Sequence, residues 1–284
     1  MELPTYGTFD CTDVIYDKTA LIPDYPKDEF VFISRVLQLF SDSIHHRLKP
    51  CNLTDSETAY CHFGIWPLLN QVVNQIQYAY CRFLVGETKL NSTNDLATYL
   101  ADGTVYIQDS NLEILLLEAS GAYGNRDITR NAYDHVKGAF GLYTMIKAIL
   151  LKYPCADPTL LNKTSVLFLH ASSRDNNIRL WRMAPTKCGK LLLLERLDKS
   201  SICLDPGDVG AMINLMQFLW SVKFHTEQAI AGVKALKASH GKRISSNQYR
   251  DLPPLVSYIH PTAIKPKKTE SVSRMCDLDP VSFL

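Results

Sequence analysis

Leu112-Glu113-Ile114-Leu115-Leu116-Leu117-Glu118-Ala119-Ser120 is the stretch on which the fold turns. An almost continuous apolar run of this length reads as a strand covered on both faces, placed in the middle of a sheet. Side chains alternate across a strand, so Glu118 and Ser120 share the face of Leu112, Ile114 and Leu116. Upstream, 96–107 reads as a second strand, joined to the first by Gln108-Asp109-Ser110-Asn111, residues that tolerate a tight turn. That strand carries Asp102, in Ala101-Asp102-Gly103. An ionised carboxylate beside such an apolar strand is costly unless it is paired, hydrogen-bonded or bound to a cation. Two acids brought together by a hairpin also repel each other, and Mg²⁺, which takes one or two carboxylates and keeps water ligands, relieves both problems.

Working outward, the apolar positions Phe30, Ile33, Val36, Leu37, Phe40 and Ile44 recur at helical spacing over 28–48, before Pro50. Thr54-Asp55-Ser56-Glu57 is a capping-box pattern that opens a second helix, expected to run to about residue 84 with a kink at Pro67. Beyond Gly121 and Gly124 the spacing predicts a helix over 128–152. Strands follow over 165–171, 178–184 and 190–197, and a long helix from about 206 to 239. Strands that follow one another without an intervening helix must pair antiparallel, which excludes a regular doubly wound sheet. The expectation is an α/β domain over 27–240 with a central mixed sheet flanked by helices, preceded by an arm over 1–26 and followed by a basic, Pro-containing tail over 241–284.

The chain of 284 residues, 46% apolar and 21% charged, is long enough to bury a core without metal or disulfide staples. Its eight cysteines include no C-x-x-C pair, so they read as free thiols of a reducing compartment. No stretch resembles a signal peptide or a membrane span, so the expected location is intracellular, cytoplasmic or nuclear, with no membrane partner. Anchors for dinucleotide, P-loop, zincin and hydrolase-elbow sites are missing from the sequence. The net charge of +1 is unevenly spread: 1–60 holds 10 acids and 5 bases, whereas 222–284 holds 5 acids and 10 bases. Lys234, Lys237, Lys242 and Arg243, with Lys265, Lys267 and Lys268, form a candidate surface for DNA or RNA, although a solvated helix end and tail has the same composition.

A helix with Glu57, a hairpin with Asp102 and Glu118-Ala119-Ser120, and a following helix with Asp134 and Lys137 together resemble the PD-(D/E)XK nuclease superfamily. In particular they are similar to a group of uncharacterised fungal nuclease-like proteins within it. The resemblance covers 54–200 and implies a restriction-endonuclease-like fold, with Glu57, Asp102 and Glu118 holding Mg²⁺ for hydrolysis of a nucleic-acid phosphodiester. The pattern places a Lys two residues after the Glu, where this chain has Ser120. Lys137 is the expected substitute, which would make Asp102, Glu118 and Lys137 the catalytic set, with Arg126 and Arg130 as alternatives. The other reading is a catalytically degenerate fold that binds nucleic acid or protein. In that case Glu57 is a helix cap, Asp102 a bulge or turn residue of its strand, and Glu118 a structural partner of Arg126, Arg130 or Lys137. His170, at the end of a strand, reads as a satisfied core histidine.

Overall fold

A computed structural model of the chain describes residues 27–76, 80–96, 99–186, 190–246 and 253–261. The expected arm over 1–26 and the lysines at 265, 267 and 268 lie outside the described residues. In chain order the main elements are α1 (Lys27–Asp42), α2 (Glu57–Ala59), α3 (Trp66–Asn74), β1 (Cys81–Lys89), β2 (Leu100–Ile107), β3 (Leu112–Ala119) and α4 (Ile128–Lys152). They are followed by β4 (Val166–Ser172), β5 (Asn177–Pro185), β6 (Leu192–Ser201) and α5 (Val209–Ser245). The six strands form one sheet in the order β1-β2-β3-β4-β5-β6. Every pair is antiparallel except β3 with β4, the two strands joined through α4. The connections explain this: a turn returns the chain antiparallel, and only a helix-length crossover restores its direction. The fold is therefore α/β, with a mixed open sheet and helices on its faces.

β3 is buried along its whole length, as its composition requires. Leu116 and Phe168 face α4, whose Gly138 and Gly141 let the helix lie close against them. A Cβ on Gly138 would stand 2.4 Å from the Phe168 ring, and one on Gly141 would stand 2.7 Å from Leu116. The opposite face packs on α3 and α5, where Leu169 and Ile178 meet Leu68, Leu69 and Phe218. Asp127 caps α4 by accepting from the Arg130 amide at 2.9 Å. Asp127→Ala should lower the unfolding free energy by about 1 kcal/mol in denaturant titration, the usual worth of such a cap; an unchanged midpoint would show the helix end is held by packing alone.

Three expectations need correction. The second helix does not reach residue 84: α3 ends at Asn74, and 81–89 form edge strand β1 instead. Alternation of half-buried and exposed residues in Cys81–Lys89 suits an edge position, and strand pairing prevailed over the helical period. Pro67 is accommodated by a π-helical segment over Tyr60–Ile65, in which the Trp66 amide reaches back to the Cys61 carbonyl. The first helix also stops at Asp42, and α5 continues to Ser245, past the expected 239. Beyond it, Leu255 is fully buried and the His260 carbonyl accepts from the Tyr143 hydroxyl at 2.7 Å, so 253–261 pack on the domain. Cys51, Cys61, Cys81, Cys155 and Cys203 are free thiols.

A candidate active site at the carboxyl end of the central strand

The β2–β3 register pairs Gly103 with Leu117, and its continuation sets Asp102 opposite Glu118 on the face covered by α4. Glu118 is 1% exposed. Its Oε2 accepts from Lys137 Nζ at 2.7 Å, and the same ammonium donates to the Leu100 carbonyl at 2.8 Å and sits 4.9 Å from the centre of the Tyr99 ring. The Tyr99 hydroxyl is an electrostatic neighbour of the Glu118 carboxylate, but neither that hydroxyl nor Glu118 Oε1 makes a hydrogen bond of good geometry. Asp102 accepts from the Ala119 amide at 2.7 Å, and its own carbonyl accepts from the Trp66 indole at 2.9 Å. Glu57 accepts from the Gly121 amide at 2.6 Å and pairs with Arg130. A positive φ at Gly121 turns the chain sharply beyond the amide that Glu57 accepts from.

Glu57, Asp102, Glu118 and Lys137 are thus brought into one cluster. Glu57 does not close a capping box; Ser56 is the N-cap, accepting from the Ala59 amide at 2.9 Å. Asp102 lies opposite a β-bulge of β1 between Val85 and Thr88, in keeping with a bulge reading of Asp102-Gly103, and its carboxylate ties β2 to the end of β3. Asp134 joins as a fourth carboxylate, 7% exposed, close to Arg130 and within hydrogen-bonding reach of Ser120. Its signal in the sequence was the spacing of Arg130, Asp134 and Lys137, which places all three on one helical face. Ser120 hydrogen-bonds His170 at 2.8 Å, and His170 stacks on Phe168, so this histidine is a satisfied core residue.

Four carboxylates face two cations here, and burial acts on all of them. Burial, with Asp102 and Asp134 nearby, pushes Glu118 up to about 8 even though Lys137 pulls it down. Burial likewise lifts Asp134 to about 6 and raises Asp102 and Glu57. Burial pulls Lys137 down, but Glu118 together with Asp102 and Asp134 outweighs it and moves the ammonium upward. His135 and His170 are held neutral by burial, His135 lowered to about 4. A raised carboxyl stays protonated in the folded chain where the unfolded chain has already ionised. Its stabilising contribution is therefore full below about pH 4 and is lost as pH rises towards about 8. The midpoint of thermal unfolding should fall between about pH 5 and pH 8, and Glu118→Gln should flatten that slope. Equal slopes in the native chain and the variant would contradict the assignment.

At the other end of the sheet lie the basic residues expected to contact nucleic acid. Lys237 pairs with Asp109 in the β2–β3 turn at 3.0 Å, and Arg243 with Asp157 at 3.5 Å. Asp109 is separated from Asp102 by the length of β2, roughly 20 Å. Lys234 and Lys242 are on the same stretch of α5. The structure therefore does not bring these four residues to the acid cluster, and it neutralises two of them. Among the described residues no helix is long and apolar enough to cross a membrane. Compared with models of known protein families, with curated proteins and with solved structures, the chain matches none.

Proposed function

We propose that the chain is a PD-(D/E)XK nuclease-like protein that hydrolyses nucleic-acid phosphodiesters at the Asp102–Glu118–Lys137 cluster with the aid of Mg²⁺. The observation that carries this reading is the 2.7 Å contact by which Lys137, from the following helix, meets Glu118 beside Asp102. Ser120 is too short and too neutral to supply the positive charge expected two residues after the Glu. An ammonium delivered from α4 restores a cation at the acid pair, where it would stabilise negative charge developing on a phosphate.

The cluster's donors are carboxylate oxygens, the type a hard divalent cation takes, and Glu118 Oε1 and Asp134 Oδ2 are buried without a hydrogen bond of good geometry. Among the described residues no three His, Cys, Asp or Glu side chains form a ready metal-binding group. Glu57, Asp102 and Glu118 would hold the ion, which supplies a nucleophilic water and charge neutralisation at the phosphate. Glu57 would have to exchange Arg130 for it. A specific observation favours the second reading, a non-catalytic binding module: Asp102 and Glu57 each accept a backbone amide, and Glu118 already has Lys137.

Calorimetric titration of metal-free protein with Mg²⁺ and Mn²⁺, combined with plasmid cleavage, separates the two. Under the nuclease reading Glu118→Gln abolishes cleavage and weakens Mn²⁺ binding by about tenfold or more. A native chain that neither binds metal nor cuts would leave the acids as structural groups.

A further inference from the structure

On β5, Arg179 and Trp181 share the face turned towards α4, where the Trp181 ring lies 4.6 Å from that of His135. Their partners on β6 are Lys199 and Arg196. Simple alternation would set Arg196 beside Asp198 and opposite to Lys199 in direction. A β-bulge prevents this: Leu180 pairs with Asp198 but Trp181 pairs with Arg196, leaving Leu197 as the extra residue. Arg196 and Lys199 consequently project from one face, both exposed, while Asp198 and Glu195 turn to the other, where Glu195 pairs with Arg182.

At the same end of the sheet Arg174 stands in the β4–β5 turn and Arg126 in the β3–α4 loop, both exposed. The two loops are tied together by the Gly124 amide donating to Asn176 Oδ1 at 2.7 Å. The acids nearby are engaged, Asp175 with Arg179 and Asp127 as the helix cap. Among the described residues Arg126, Arg174, Arg196 and Lys199 make no ion pair, unlike Lys237 and Arg243 at the far end. In register, Glu118 neighbours His170, His170 neighbours Arg179, and Arg179 neighbours Lys199. Lys199 is therefore level with Glu118, three strand spacings or roughly 14 Å away.

We propose that Arg126, Arg174, Arg196 and Lys199 form a basic rim that grips the phosphate backbone of a nucleic acid and leads it round the start of α4 to the acid cluster. The proposal rests on the nuclease reading for the destination of the strand, and on charge complementarity for its capture. Cations spaced along one edge, with their acids removed to the other face, match a repeating phosphate chain, and a β-bulge is what sorts them.

Fluorescence anisotropy of the full chain with a short labelled DNA duplex, in EDTA and over a series of salt concentrations, tests the rim without metal or cleavage. Arg196→Gln with Lys199→Gln should weaken binding by about tenfold and reduce the salt slope by about 1.8, two phosphate contacts at about 0.9 each. Lys237→Gln with Lys242→Gln should stay within about twofold of native. Loss in the second pair instead of the first, equal affinity throughout, or no binding by the native chain would each overturn the rim. Binding through the rim without cleavage or Mn²⁺ binding would sink only the nuclease reading. Cleavage with rim variants that bind as native would sink only the rim.

Discussion

Lys137→Met should lower the unfolding free energy by about 3 kcal/mol or more above about pH 8, where Glu118 ionises, because it leaves that carboxylate buried without its cation. The methionine keeps most of the packing of the lysine stem against Tyr99, so the loss is electrostatic in origin. For a domain of this size the thermal midpoint should drop by roughly 6–12 °C. The deficit should also grow with pH, since protonation of Glu118 is the only remaining way to relieve the buried charge. Adding Glu118→Leu to Lys137→Met should recover part of the stability, as a well-packed apolar pair replaces a stranded carboxylate. A single variant that melts with the native chain, or a double variant no better than the single one, would show that the pair contributes nothing net. Under the proposed function the same substitution removes cleavage while leaving rim-dependent DNA binding intact.

Gly232→Ala should also be damaging, for a steric reason. A Cβ at this position would stand 2.2 Å from the Lys163 carbonyl oxygen, where α5 crosses the turn that feeds β4. A side chain could rotate away from such a contact, but a backbone carbonyl held between a helical turn and a strand cannot. Overpacking of this kind typically costs about 1–3 kcal/mol, and more where backbone must shift. Alanine would return up to about 1 kcal/mol through helix propensity. A net loss of about 1–2 kcal/mol in denaturant titration is expected, with α5 displaced from the sheet. Gly241→Ala, on the same helix with nothing near its added Cβ, is the control and should be neutral or slightly stabilising. If the two variants behave alike, the close crossing is not a constraint.

Much of the architecture was legible in local pattern. The apolar run ending in Glu118 announced the central strand, and the absence of helices between the other strands dictated their antiparallel pairing. The facing acids on the hairpin and the reach of Lys137 also followed from alternation and helical spacing, since residues on regular elements point in known directions. Where a local signal competed with a partner distant in sequence it failed. Residues 81–84 carried a helical pattern yet joined β2, because an unpaired edge of β2 offers a full ladder of hydrogen bonds.

Charge placement divided most sharply between the two levels. The sequence located a basic C-terminal segment over 222–284, and composition alone could not reveal that Lys237 and Arg243 are neutralised by Asp109 and Asp157 at the far end of the sheet. Spacing put Asp134 on the helical face of Arg130 and Lys137, but its burial against the acid hairpin depends on how close Gly138 and Gly141 let α4 approach. Arg196 and Lys199 share a face only because of a bulge at Leu197, and strict alternation predicts the opposite. The sequence by itself determined most of the elements, the antiparallel sense of strands that follow one another and the acid hairpin, since these depend on residues near in the chain, whereas strand β1 and the order of the sheet came only with the structure. Tertiary structure alone decided which charges meet and which remain free, because electrostatic energy depends on separation and burial in space.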